Sequence, residues 1–327
     1  MNVKEEQLKI SLEQEWELKN GLDEVKFTHY ALPELNFNEI STKVKFLGRI
    51  FSQPVMIGSM TGGTERTGKI NEKLAAAAEE KNIPFSTGSH KIALKKPEVF
   101  ESFNVKRKNP DVFLIANLGG TALLEFDFEE IERSLERIEA DAVFIHLNPL
   151  QELMQKDGNK KWKGVREKIA ELCDYLSIPV LAKEVGNGIN GKTALELQKA
   201  GVKAIDLAGF GGTNWGEIEK KRNGETRNVF KNWGVSTLQS LKECRNLKTP
   251  IIASGGIRNG LEVAKTIRLG ATLASASLPF LKAVVEDRLE KELDEWLKEL
   301  KIAMMLTRSS NLNELRKAEI QENRSLR

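Results

Sequence analysis

The sequence predicts an α/β fold, a (β/α)8 TIM barrel with an N-terminal helical arm and a C-terminal helical extension, on three observations. Short apolar runs of strand type alternate with helix-period segments, the runs number eight, and nearly every run ends in glycine or a polar group. Alternation demands parallel strands joined by crossover helices, and eight is the strand count that closes such a sheet. An open doubly wound sheet would accept the same alternation, but it usually carries a GxGxxG turn after its first strand. The MTGGTERTGK stretch at 60–69 supplies none.

The elements follow in order. Residues 1–50 form an arm outside the repeat, expected to complete a substrate site: a charged helix with Leu8, Ile10, Leu12 and Trp16 on one face, then a mixed stretch in which ALPEL at 31–35 is irregular. The barrel spans 51–285. Its buried strands are expected at Val55–Ser59, Pro84–Gly88, Val112–Asn117, Ala142–His146, Pro179–Lys183, Ala204–Ala208, Pro250–Ser254 and Leu273–Ser277. Between them, helical patterns run over Ile70–Lys81, Phe128–Ile138, Val165–Leu176, Ala194–Lys199 and Leu261–Leu269. Residues 286–327 read as a charged helical extension of the same domain, with AMML at 303–306 as its apolar patch.

Composition narrows the function class. Fifty Lys plus Arg against 47 Asp plus Glu leaves a formal charge of +3, too even for bulk attraction to nucleic acid, so any anion site is local. No apolar run approaches the roughly 20 residues of a membrane span, and the charged N-terminus has no signal-peptide core. Two cysteines, Cys173 and Cys244, lie outside metal-ligand spacing and suit buried thiols in a reducing, cytoplasmic setting.

Chemistry concentrates at strand ends. The apolar run Ala142–Ile145 breaks into His146, Asn148, Gln151 and Glu152, with Pro149 stiffening the turn. A lone histidine would read as a satisfied interior group, but one among two carboxamides and a carboxylate marks a site. Glu152, a single carboxylate among neutral amides, suits Mg²⁺ completed by substrate phosphate oxygens. Lys183 ends the IPVLAK run, where a buried ammonium needs an anionic partner: Glu184 or Asp206 in a structural pair, or an electron-rich cofactor ring. Gly255-Gly256-Ile257-Arg258, before a helix and after the seventh strand, has the form of a phosphate cradle. Polar ends on most strands together describe a large cofactor lying across the barrel mouth.

These residues resemble the type 2, FMN-dependent isopentenyl-diphosphate isomerases, from about Lys4 to past Met305. ALPEL, SMTGG, ANLG, HLNPLQE, KEVGNG, GGTNW, GGIRNGLEVAK and AMMLT occur in the family's order. HLNPLQE and GGTNW are the specific ones. The resemblance implies FMN held by Ser59, Met60, Thr61, Ser89, Asn117, Lys183 and Thr213, with its phosphate on Gly256, Ile257, Arg258, Ser277 and Leu278. It implies Mg²⁺ on Glu152, NADPH as reductant of the flavin, and a cytoplasmic homo-oligomer, commonly a tetramer. The reaction implied interconverts isopentenyl and dimethylallyl diphosphate, with Gln151, His146 and Asn148 in catalytic positions.

The departures from the family fall on the diphosphate grip. Val3, Lys4 and Gln7 stand where the family has an Arg-Lys pair and a nearby histidine; Ser89, His90 and Lys91 stand where it has Ser-Gln-Arg. Lysine supplies charge without a bidentate fork. Lys4, Ser89, His90, Lys91 and Gln151 are therefore the expected substrate contacts, with His90 as a titrating cation. Ser275-Ala276-Ser277 replaces Gly-Met-Ala, and Arg308 replaces a usual glycine. Two alternatives stay open. Another FMN barrel oxidoreductase would want a histidine base and an arginine clamp after later strands, where Arg258 is the one arginine in a motif. A flavin-binding paralogue with an altered diphosphate site is the other.

Overall fold

The computed structural model describes residues 3–13 and 18–321; the position expected for Trp16 lies outside them. Eight parallel strands close into a barrel: β1 Val55–Ile57, β2 Phe85–Ser86, β3 Leu114–Gly119, β4 Ala142–Leu147, β5 Val180–Glu184, β6 Ile205–Asp206, β7 Ile251–Ala253 and β8 Leu273–Ala276. Closure is made by β8 on β1, with Val55 opposite Ala274. All eight expected strands are present. Most ladders are shorter than the apolar runs, because the chain turns toward the mouth before the run ends; Ala208, at φ +40°, stops β6 in this way. β3 departs the other way and continues two residues to Gly119. The core is the two-sided burial expected of such strands, with Phe144, Ile145, Leu181, Ile205 and Ile252 fully enclosed.

The crossover helices match the expected periods; those at Phe128 and Val165 begin where expected, while the other three begin earlier, because their first turns and caps are polar or glycine and carry no apolar signal. Glu65–Glu80 starts at a capping box of Thr64 and Thr67, and Gly191–Lys199 starts at Asn190, whose side chain accepts the Thr193 amide. Between β2 and β3 the crossover is a five-residue helix, Lys91–Lys95, followed by 3₁₀ turns.

The arm and the C-terminal extension meet outside the barrel. The arm begins with the helix Val3–Glu13, which packs on the helices Trp215–Arg222 and Leu278–Val285 and so lies by the carboxyl mouth. The C-terminal helix Leu289–Leu306 buries Leu289, Leu293, Trp296, Leu300 and Met304, a stripe of helical period laid on the helix Gly260–Arg268. Gly260 permits that approach, since a Cβ there would lie 2.0 Å from the Trp296 carbonyl oxygen. The extension is not helical throughout: Ile320–Gln321 pairs antiparallel with Lys26–Phe27 of the arm.

Arg308 holds φ +55°, a conformation that glycine, the residue the resemblance implies there, adopts without strain. Its guanidinium offsets the strain by donating twice to the Leu32 carbonyl, at 3.0 and 2.6 Å, and lying 4.6 Å from the Tyr30 ring centroid. Both cysteines are free; Cys244 is buried, while Cys173 is half-buried rather than buried as expected, and burial pushes each thiol up to about 11. Among the described residues no helix is long and apolar enough to cross a membrane.

Candidate active site

Parallel register places the central groups. Across β3 to β6, Gly119 pairs with His146, His146 with Lys183, and Lys183 with Asp206. Laterally paired residues project from one face of a sheet. His146, Lys183 and Asp206 thus stand side by side in a cleft of about 400 Å³ at the barrel mouth.

Burial lowers the Lys183 pKa, while the Asp206 and Glu184 charges pull it back up. Nζ donates to the Glu184 carbonyl at 2.6 Å, so neither carboxylate is its hydrogen-bond partner. Asp206 is occupied by the Ser254 hydroxyl, and burial raises its pKa against the pull of Lys183. His146 Nδ1 lies 2.8 Å from Asn117 Oδ1. A carboxamide oxygen only accepts, so Nδ1 carries the proton. Burial, with the Lys183 and Lys4 charges, holds this ring well below the ordinary histidine range, which leaves Nε2 an unprotonated acceptor.

At the other end of the cleft lies the cradle. Gly255 and Gly256 hold φ +100° and +75°, and a Cβ on either would fall 1.9 Å from the Gly209 oxygen or 2.2 Å from the Gly211 oxygen. Only glycine fits two loops stacked this closely. The Gly256 and Ile257 amides have no acceptor among the described residues. Beside them begins the helix Leu278–Val285, whose first amides are orphaned by helix geometry. Among the described residues, the Arg258 guanidinium donates to the carbonyls of Gly256, Gly211 and Leu18, at 2.7, 2.7 and 2.8 Å. A dianionic phosphate fits this end and an electron-rich ring fits against Lys183, so the residues present suit FMN.

The arm side of the cleft carries Lys4 and Gln151. Gln151 sits on the short helix Pro149–Met154; its Oε1 accepts from Asn148 Nδ2 at 3.0 Å and its Nε2 donates to Glu219 at 3.3 Å. Glu219 is 0% exposed and gathers Gln7 at 2.7 Å, Gln155 at 2.9 Å and the Arg222 guanidinium. Lys4, its pKa lowered by burial, is supported by the Glu219 and Glu152 charges. Glu152 lies outside the cleft wall, accepting from Asn148 Nδ2 at 3.3 Å and from the Asn159 amide at 2.6 Å. No group of three His, Cys, Asp or Glu among the described residues could hold a metal. One carboxylate with carboxamide neighbours fits Mg²⁺ on condition that substrate oxygens complete the shell.

Of the expected contacts, Ser59, Met60, Ser89, Asn117, Lys183, Thr213, Gly256, Ile257, Arg258, Ser277 and Leu278 line the cleft, as do His146, Gln151 and Lys4. Thr61 does not: it is buried beside Met60, its hydroxyl without a partner among the described residues. Asn148 stands behind the cleft wall and holds Gln151 and Glu152.

His90 is a correction. Its ring is 1% exposed, away from the cleft, with Nε2 3.1 Å from Ser134 Oγ and the ring edge-on to Phe103. Burial drives its pKa down to about 4, so it is neither a substrate contact nor a cation near neutral pH. Lys91 likewise turns from the cleft to Glu125, at 2.7 Å.

Sequence reasoning misses Glu219 and Ser254 as site residues and weighs Asp206, like Glu184, only as a pair for Lys183. Glu219 shares its helix with Glu217, and nothing local tells the two acids apart. Glu184 was weighed only as a pair for Lys183; its carboxylate instead accepts the amides of Gly186, Asn187 and Gly188 and so shapes the cleft-lining KEVGNG loop, while burial raises its pKa to about 7.

Residues 135–322 match the family model described as FMN-dependent dehydrogenase. The chain is 42% identical to a Rickettsia prowazekii protein named isopentenyl-diphosphate delta-isomerase, over 97% of this chain and 96% of that one. A protein of the same name from Pyrococcus horikoshii is 42% identical over 92% of this chain and 85% of its own. In fold, the chain is similar to a solved mandelate oxidase with (S)-mandelic acid, at TM-score 0.69 and 16% identity, covering 99% of this chain and 95% of that one.

Proposed function

Since the chain belongs to the isopentenyl-diphosphate delta-isomerase family, on a barrel of the FMN-dependent dehydrogenase type, we propose that it interconverts isopentenyl and dimethylallyl diphosphate with reduced FMN and Mg²⁺. One observation carries the reading: a single cleft holds the glycine cradle at one end, Lys183 at its centre, and Lys4 with Gln151 at the arm end. When bound, FMN kept reduced by NADPH supplies an electron-rich ring that offsets positive charge developing on a protonated alkene, with no net redox change in the product.

The chain's own groups divide the remaining work. Gly256, Ile257 and the first turn at Ser277 and Leu278 offer amides to the flavin phosphate, while Lys183 stands ready for negative charge on the ring. Gln151, held from both ends by Asn148 and Glu219, presents one fixed carboxamide to the substrate. His146, neutral and locked by Asn117, shapes the pocket and offers Nε2 as an acceptor. Lys4 brings a point charge to the diphosphate, and Glu152 takes Mg²⁺ together with diphosphate oxygens. Hydroxy-acid oxidation is disfavoured here because His146 is locked and Arg258, the arginine lining the cleft, is committed to carbonyls. The same reading makes the protein a cytoplasmic homo-oligomer, tetrameric by likeness to the family.

The test is anaerobic conversion of isopentenyl diphosphate by FMN-loaded, reduced protein. Turnover that EDTA abolishes and Mg²⁺ restores supports the isomerase. Flavin binding without turnover at millimolar substrate points to a paralogue that has lost the reaction, and flavin reduction by a 2-hydroxy acid points to an oxidase.

A further inference from the structure

Asn20 belongs to no motif, yet it lies where the N-terminal arm meets the cradle. It is 3% exposed, and every polar group of its side chain is used. Nδ2 donates to the Gly256 carbonyl at 2.7 Å and to Glu262 Oε1 at 3.2 Å, and Oδ1 accepts from the Leu22 amide at 2.8 Å. Its own carbonyl accepts from Leu238 N at 3.0 Å. Gly211 approaches so closely that a Cβ there would lie 2.5 Å from Asn20 Cα. Arg258 shares the Gly256 carbonyl, and Glu262 Oε2 takes the Arg258 amide at 2.8 Å, so Asn20, Arg258 and Glu262 form a closed network around one oxygen.

The oxygen matters because of the bond it belongs to. In a trans peptide, the carbonyl of one residue and the N–H of the next point in opposite directions. Pinning the Gly256 carbonyl toward the arm therefore aims the Ile257 N–H away from it, and Ile257 lines the cleft. At φ +75°, Gly256 has no Cβ to bias that peptide plane, so the plane is set by what holds its oxygen. We propose that Asn20 is a positioning residue for the flavin phosphate: it fixes the Gly256–Ile257 peptide with the Ile257 N–H turned into the cleft as a phosphate donor. This rests on the FMN reading above. It adds that the arm is fastened at the cofactor's phosphate end as well as at the substrate end through Lys4.

Comparing FMN with riboflavin isolates the phosphate. Both are titrated into flavin-stripped full-length protein, wild type and Asn20→Ala, following flavin fluorescence. One lost hydrogen bond, with Arg258 still on the oxygen, should weaken FMN about three- to tenfold and leave riboflavin unchanged. Asn20→Asp, which sets a carboxylate against the carbonyl and Glu262, should weaken FMN more. Unchanged riboflavin binding also certifies the fold. If Asn20→Ala does not fold, Glu262→Ala, which frees the far side of the network, should show a smaller loss with the same selectivity for FMN. Equal losses for both flavins, or no loss for either, overturn the assignment. So does a wild type that binds riboflavin as tightly as FMN, since no phosphate contribution then exists. A wild type that binds neither flavin removes the FMN reading itself, and this inference with it.

Discussion

The burial of His90 predicts an acid-sensitive limb of stability that glutamine, the residue the resemblance places there, would remove. Ser134 Oγ donates its single proton to the Ile131 carbonyl at 3.0 Å, so it can only accept from His90, and Nε2 carries the ring proton. Nδ1 is then a bare lone pair with no hydrogen-bond partner among the described residues. Protonation would bury a charge, at a cost that outweighs the pull of the Asn117 backbone, which is why the folded pKa falls from the ordinary 6.5 to about 4. A histidine depressed on folding contributes stability that is complete above the unfolded value and lost as pH falls toward the folded one. The full loss is about 3 kcal/mol, of which about 2 kcal/mol has gone by pH 5. His90→Gln keeps a donor for Ser134 without a titrating ring. Urea midpoints at pH 8, 6.5 and 5, with flavin held constant, should show the variant gaining about 2 kcal/mol on the wild type between pH 8 and pH 5. Parallel curves would refute the burial argument. The same burial predicts that His90→Gln leaves the pH dependence of KM between pH 6 and 8 unchanged, against the titrating-cation expectation drawn from the sequence.

Lys183→Ala should weaken FMN binding at least about tenfold and shift the flavin potential negative, measured by titration against a redox dye, because an anionic reduced ring loses its cation. Glu152→Gln should retain FMN while losing Mg²⁺-dependent turnover; full response to Mg²⁺ in the variant would move the metal elsewhere. Glu219→Gln removes one of the two carboxylates on the Arg222 guanidinium, the buried one, and leaves Glu6 at 3.3 Å, so it should cost about 1 to 3 kcal/mol in denaturant unfolding. It also removes the larger of the two charges, with Glu152, that hold the Lys4 pKa up against burial, so KM for the diphosphate should begin to rise at lower pH in this variant than in the wild type.

What was legible in the sequence was whatever a short window contains. Ala142–Ile145 declares a buried strand by having no polar member, and HLNPLQE declares a site by crowding donors and acceptors into seven residues. Gly255-Gly256 declares a close approach, although the partner backbone at Gly209 and Gly211 becomes visible only in three dimensions. Direction and long-range partnership were illegible. Whether His90 turns into the cleft or behind it depends on Ser134, on a different crossover. Glu219 becomes a hub because helices starting at Val3, Pro149 and Trp215 converge on it. Asn20, in a connecting stretch, has no periodicity to betray it.

The guanidinium of Arg258 bears on how the chain is made. It joins carbonyls from three segments, one of them Leu18, 240 residues earlier. At ribosomal rates of about 5–20 residues per second, the arm leaves the exit tunnel roughly 10 to 50 s before its anchor is synthesised. β1 waits similarly for β8. During that interval the arm has no barrel to dock on, and a charged leading stretch such as MNVKEEQLKISLEQEWELKN gives it little to aggregate with. The glycine cradle is therefore among the later features the nascent protein can complete, and, if it holds the flavin phosphate as proposed, flavin capture reports that the arm has docked on the finished seventh strand end.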